Sequence, residues 1–336
     1  MSELRPYNCR AFFRDTFLST AVAAGIAILS SSGTAMAEEG GSGHYLPGSM
    51  ASFVDGVPLD ETFIVRLNVL NYDGSISADR KLPIAGLSTL GAEANSWGYG
   101  LTMLWRPPLE LGERWSYAMS TTIPYVTLRV TADVETEVAG SRTAIARRSS
   151  SVSGLGDILL MPLMLNFNVN PDFNINFRLT AYAPTGGYEV GRLANTGKNF
   201  WTLEPTVAFM YLGQKNGIEG SLFIGADFNQ ENPDTDYKSG TQFHFDSTLS
   251  QHFPFAGGVA GAGVTGYYYE QITGDSGAGA TFGDFKAKTA GVGPVLSYSK
   301  KAGANDLIAE LKWLHEVQTK NRLQGDTVFL KVLMKF

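Results

Sequence analysis

From residue 61 onward the chain alternates apolar and polar positions again and again. A β-strand rises about 3.3 Å per residue and turns successive side chains to opposite faces. Each alternating stretch therefore predicts a strand with one apolar and one wet face. Such stretches cover 61–72, 97–106, 114–130, 155–169, 173–183, 199–212, 217–228, 241–253, 257–272, 284–299, 306–317 and the tail to Phe336. The tail sets Val328, Leu330, Val332, Met334 and Phe336 against Thr327, Lys331 and Lys335. The stretch 97–106 sets Trp97, Tyr99, Leu101, Met103 and Trp105 against Gly98, Gly100, Thr102 and Arg106. Trp97 and Trp105 stand eight steps apart, roughly 26 Å along a strand. A tilt of about 40° brings that to roughly 20 Å, near the apolar band of about 25 Å that a membrane barrel presents between two aromatic girdles.

The connections between these stretches alternate in length. Those at 73–96, 131–154, 184–198, 229–240 and 273–283 are long, and those at 107–113, 170–172, 213–216, 254–256 and 300–305 are short. Barrels of the outer membrane have short periplasmic turns and longer external loops. After the N-terminus no run approaches the roughly 20 apolar residues of a membrane helix. Only helices and closed barrels satisfy their backbone in lipid. The expected fold is all-β: a transmembrane antiparallel β-barrel of about 12 strands, of outer-membrane type, over 61–336.

The N-terminus reads differently. Arg5, Arg10 and Arg14 precede an apolar run from Phe17 to Leu29, and Ala35-Met36-Ala37 is a small-x-small cleavage site. Residues 1–37 are thus an expected secretory signal, cleaved near Ala37. Residues 38–60 are turn-rich and are expected to be either a disordered periplasmic leader or a small plug of the lumen. Cys9, the sole cysteine, lies in the signal, which leaves no disulfide or thiolate chemistry for the mature chain. A net charge of −6 argues against nucleic acid as a partner. The lipid bilayer, the barrel assembly machinery and a small solute are the expected partners.

Because a charge on the lipid side costs about 2–4 kcal/mol at the midplane, the charged positions set which face is the lumen. Arg66, Arg106, Arg178, Glu204, Glu219, Asp227, His244, Asp246 and Glu270 are the expected lumen lining, and Glu310, Lys312 and Glu316 fall on the same side. They read as a paired network that rigidifies the barrel, some of them lining a pore. Arginine at Leu101 or Leu179 is expected to be costly, and arginine at Thr102 or Thr180 far milder. Pro124, Pro162, Pro205 and Pro294 fall inside expected strands, where each removes a ladder donor and so marks a place where the wall can bulge or open.

No catalytic, cofactor or metal residue is expected. Gly274-Asp275-Ser276-Gly277 resembles a protease nucleophile segment but lacks its surroundings. Asn232-x-Asp234-x-Asp236 has the oxygen spacing of a calcium loop, yet Tyr237 and Phe243 stand where Gly and Glu are needed. His244, Asp246, Ser250 and His252 share one face of one strand. Successive same-face positions are nearly 7 Å apart, too far for a triad or a tight metal site built from strand neighbours alone.

Several motifs recur in order along the chain. They are Gly43-x-Tyr45-x-Pro47-Gly48, Gly154-Leu155-Gly156-Asp157 followed by Pro162, Pro184-Thr185-Gly186 with Tyr188, and Asn195-Thr196-Gly197-x-Asn199-x-Trp201 followed by Pro205. Further on come Asp236-Tyr237-x-Ser239-Gly240, Gln271-x-Thr273-Gly274-Asp275, Gly291-Val292-Gly293-Pro294 and Arg322-Leu323-Gln324-Gly325-Asp326. Together they resemble the putative meta-pathway of phenol degradation (SphA-like) family, over nearly all of residues 40–336. The C-terminal strand closing on Phe336 likewise resembles the assembly signal of Gram-negative outer-membrane proteins. The family resemblance implies an outer-membrane barrel for uptake of small hydrophobic or aromatic compounds, linked to aromatic degradation. It brings no catalytic residues. The competing expectations are an outer-membrane hydrolase and a non-transporting structural or adhesion barrel.

Overall fold

The structure, a computed structural model, describes residues 41–58, 60–138, 142–281 and 286–336. The expected signal, 1–37, lies outside the described residues. Thirteen antiparallel strands follow one another: β1 (Thr62–Ile84), β2 (Leu87–Arg106), β3 (Trp115–Val138), β4 (Arg142–Leu155), β5 (Ile158–Asn170), β6 (Phe173–Ala183) and β7 (Thr202–Leu212). Then come β8 (Ile218–Asn229), β9 (Gln242–Phe255), β10 (Gly258–Gln271), β11 (Lys288–Ala302), β12 (Asn305–Lys320) and β13 (Gln324–Lys335). Neighbours in sequence pair everywhere except β4 and β5, and β1 pairs β13 from Ile64↔Lys335 to Ser75↔Gln324, which closes the ring. Twelve strands make that ring. β4 pairs only β3, along Tyr125–Val138, and is separated from β5 by Gly156-Asp157. β3 therefore pairs β5 with its first half and β4 with its second.

Alternation decides which side chains meet lipid. All five tryptophans stand exposed on the outer face: Trp105 and Trp115 at the end where β1 starts, and Trp97, Trp201 and Trp313 toward the other. Between them Leu101, Val264, Leu296 and Leu311 are 43–57% exposed. A continuous apolar belt of this size is far beyond what a water-facing surface carries, and its aromatic borders are the girdles of a membrane barrel.

Two expected loops are corrected. Residues 73–96, and 131–138 with 142–154, continue β1, β2, β3 and β4 as long paired strands rather than loops. Parts of these extensions put polar residues on both faces (Ser75, Ser77, Arg80 and Lys81; Arg147, Arg148, Ser149 and Ser150), which masks the buried apolar positions Leu82, Ile84, Ala92, Ala132 and Val134. The β1–β2 hairpin turns at Ala85-Gly86, both with positive φ (47° and 80°), the type I′ geometry that suits strand twist. The far-end connections 184–201, 230–241 and 272–287 remain long, and the near-end turns at 171–172, 256–257 and 303–304 are tight.

The four prolines expected inside strands each stand where a ladder is interrupted, whereas Pro83 and Pro254, near strand ends, keep their pairing. Pro124 lies at the handover of β3 from β5 to β4, and Pro162 in the register shift between Leu160 and Leu163. Pro205 and Pro294 lie in gaps of the β7–β8 and β11–β12 ladders. A missing N–H removes the ladder bond at each place.

Candidate functional site

Residues 41–58 run through the ring from its far end to its near end. Gly41 lies against Leu82 and Leu323, and Thr62, at the start of β1, donates to the Phe336 carbonyl. This segment has no periodicity of its own, and beside a few turn bonds such as Ser49 N–H to Leu46 it takes its hydrogen bonds from the wall. Two anchors hold it.

The first is a wall carboxylate. Asp246 on β9 accepts from the Tyr45 hydroxyl (2.5 Å) and from the backbone N–H of Gly48 (3.2 Å) and Met50 (3.0 Å). The turn at Gly48 has φ +85°, and a Cβ there would stand 2.3 Å from the Leu314 side chain. Only glycine brings the plug that close to β12. Above this turn His44 bonds Asp157 (2.9 Å) and Thr202 (2.7 Å) and stacks on Tyr182. Burial holds the His44 imidazole below its usual range, partly offset by Asp157.

The second anchor is a plug carboxylate. A short 3-10 turn, Phe53–Asp55, capped by Ser52, aims the buried Asp55 at the wall. Lys331 on β13 bonds both Asp55 oxygens at 2.8 Å and Arg66 on β1 bonds one at 3.0 Å. Arg178 donates to the Asp55 carbonyl and lies over the Phe223 ring. Close by, Lys312 donates to the Met50 carbonyl (2.6 Å) and Glu219 accepts from Phe53 N–H (2.7 Å) and bonds His252 (2.7 Å).

Of the expected lumen residues, Arg178, Glu204, Glu219, Asp227, His244 and Asp246 are buried inside the ring. Arg66 points inward onto Asp55, and Arg106 lies on the inward side of β2 at the near rim, opposite Thr62. Glu270 is corrected. Tyr267, Tyr269 and Gln271 are the buried positions of β10, so Tyr268 and Glu270 face out, bonded to each other, with Lys288 over the Tyr268 ring. The run Tyr267-Tyr268-Tyr269 hides the parity, because both faces carry the same residue. His244 and His252 are not brought together: each meets acids of other strands. Glu204, Asp227 and His244 do converge, from β7, β8 and β9.

The quoted motifs also converge in space. Asp157 accepts from Gly186 N–H (2.8 Å) and Lys198 N–H (2.7 Å) as well as bonding His44, so three distant motifs meet at one carboxylate beside the β4–β5 break. Asp275 accepts from Tyr237, Gly240 N–H and Gln271. The protease-like segment is therefore a loop clasp. Asn232 similarly closes its own turn, accepting from Asp234 N–H at 3.1 Å and from Asn199 at 2.8 Å.

An apolar layer sits at the far end: Tyr45, Leu82, Ile84, Leu193, Tyr269 and Leu323 pack together. The β1–β2 tip reaches over it, and Ala85 accepts from Gly191 N–H at 2.7 Å. On the stem of the same hairpin lies an open cavity of about 660 Å³, bordered by Arg80, Glu93, Asp133, Arg147 and Lys320. Its walls are charged, unlike the layer under the tip.

A sequence profile of the family described as "Putative MetA-pathway of phenol degradation" matches residues 78–332. The chain belongs to this family. Among solved structures, an outer membrane channel of the COG4313 group from Pseudomonas putida F1 is similar over 84% of this chain and 97% of its own, at 16% identity and TM-score 0.61. That likeness shows a shared fold: an outer-membrane barrel. A FadL homologue from Pseudomonas aeruginosa aligns over 82% of this chain and 89% of its own at 7% identity, with a TM-score of 0.38. None of the curated proteins compared with the chain matches it.

Proposed function

We propose that this family member is an outer-membrane channel for uptake of small hydrophobic or aromatic compounds. The observation that carries the reading is the apolar layer at the far mouth, roofed by the β1–β2 tip and floored by Tyr45 of the plug. A solute with little charge gains there what it loses by leaving water, about 25 cal/mol per Å² of apolar surface buried. The charged cavity at the hairpin stem offers no such gain. The family's link to phenol degradation and the channel fold shared with the COG4313 protein support the same reading. From the layer, a path to the periplasm requires movement of the plug or of the wall. The ladder gaps at Pro162, between β5 and β6, and at Pro205, between β7 and β8, flank the β6–β7 pair, and separation there needs fewer broken hydrogen bonds than along an uninterrupted ladder. Export by a signal cleaved near Ala37 and insertion by the barrel assembly machinery complete the proposal.

The test is uptake of labelled aromatic compounds by a deletion strain, complemented by the wild type or by a chain lacking residues 41–58. A defect restored by the wild type supports uptake. Higher conductance of the shortened chain in planar bilayers supports gating by the plug. A second reading, a structural barrel that transports nothing, is favoured by a lumen threaded from end to end. No uptake defect, with no conductance from either form, would establish it.

A further inference from the structure

We propose that Glu204, Asp227 and His244 form a binding site for a divalent transition cation of the zinc class, set in the barrel wall behind the plug. The three residues come from consecutive strands. Glu204 on β7 stands opposite Asp227 on β8, beside the ladder gap at Pro205, and His244 on β9 pairs with Gly225 two residues from Asp227. Each is 1% exposed. Their donor atoms all lie within 4.8 Å of one another.

Three observations point to a ligand. First, both Asp227 oxygens and both His244 nitrogens are buried without a hydrogen-bond partner, and an unpaired buried polar group is costly. Second, His244 Nε2 lies 3.5 Å from Glu204 Oε1 and 3.7 Å from Asp227 Oδ1. These spans are long for hydrogen bonds. They are close to the roughly 3.4 Å edge of a tetrahedron built on metal bonds of about 2.1 Å. Third, the two buried carboxylates share one imidazole, which lies within 3.7 Å of each. A proton on that imidazole neutralises one charge, whereas a divalent cation neutralises both. Mixed imidazole and carboxylate donors select a first-row transition ion over calcium or magnesium.

The surroundings hold the donors in place. Tyr182 donates to Glu204 Oε2 (2.6 Å) and Thr206 to Oε1 (3.0 Å). The His244 ring is sandwiched between Tyr45 of the plug, centroids 3.6 Å apart, and Gly225, where a Cβ would stand 2.6 Å from Nε2. Such outer contacts orient metal ligands. The cation would tie three wall strands together under the plug turn that Asp246 holds. The site stands whether or not the barrel passes aromatic solutes.

The test uses the full folded chain in detergent, stripped with a chelator and then equilibrated with zinc alone. Wild type should retain one zinc per chain after desalting, and Asp227→Asn and Glu204→Gln should each weaken retention at least tenfold. A His315→Ala control removes the exposed His315–Asp326 pair and should change nothing. Cobalt in place of zinc needs no variant, and a four-coordinate nitrogen–oxygen absorption spectrum is expected. Wild type retaining no zinc, folded variants retaining as much as wild type, or only a six-coordinate cobalt spectrum would overturn the proposal.

Discussion

The two anchors of the plug use the same chemistry in opposite directions. At Asp55 the charge is on the plug and the cations are on the wall, so Lys331 and Arg66 meet it as a matched set. At Asp246 the charge is on the wall and the plug answers with neutral donors, a phenol and two backbone N–H groups. The first is an ion-pair lock. The second is a carboxylate cradled by dipoles in a region already rich in acid, with Glu204 and Asp227 nearby. A buried ion pair is lost abruptly when one partner goes, because the other is stranded. A dipole-held carboxylate is lost in steps, one donor at a time. The near-end anchor should therefore be the permanent attachment and the far-end anchor the part of the plug that moves.

Asp55→Ala is expected to have the largest effect, about 3–5 kcal/mol, because it strands Arg66 and leaves buried Lys331 and Lys312 to share Glu310 alone. Denaturant unfolding in detergent, followed by gel mobility, measures it. Pairing it with Lys331→Met should restore part of the loss. If the single variant costs no more than a surface change, the lock is not an ion pair.

Asp246→Asn keeps the shape and removes the charge. Hydrogen bonds to charged groups are worth about 1.5–3 kcal/mol, and relief of repulsion from the neighbouring acids offsets part of that. A smaller loss than at Asp55, confined to the far half of the plug in hydrogen exchange, would bear out the contrast. An equal loss over the whole plug would abolish it. Gly48→Ala tests the same anchor through the backbone. The left-handed conformation costs a side-chain-bearing residue about 1–2 kcal/mol, and the Leu314 side chain must also give way.

Much of the wall was legible because lipid imposes a strict rule on every second residue. Leu101 sits midway between Trp97 and Trp105, and arginine there retains its expected cost of about 2–4 kcal/mol. The inward half of that expectation changes. Thr102 and Thr180 are 2% and 1% exposed, so arginine at either overpacks a filled lumen and is not mild. Sequence parity shows which way a residue points but not whether its space is already taken. The β1–β4 extensions were hard to read because above the membrane the outer face need not be apolar, and polar runs such as Arg147–Ser150 hide the buried inner positions Leu82, Ile84, Ala132 and Val134. The Glu204–Asp227–His244 group was illegible for another reason: no single strand contains it, and only the register across three strands brings it together. Asp157 and Asp275 were visible as motif members, yet their work as loop clasps depends on partners dozens of residues away.

The smallest effect expected is a pH dependence at the far anchor. His44 is buried, and burial disfavours its charged form despite Asp157 beside it and with Lys198 also near. Its docked value therefore lies below the 6.5 of a free imidazole. The undocked state takes up a proton first, so docking is at full strength above about pH 7 and weakens as pH falls through about 6.5. Exchange of backbone amides around His44 and Tyr45 should rise between pH 7 and 5.5, while amides around Asp55 stay protected. His44→Gln should flatten the profile, since the amide can keep a bond to Thr202 without titrating. A pH response equal at both anchors, or one that persists in His44→Gln, would move the titrating group away from His44 and remove the reason to treat the far anchor as the mobile one.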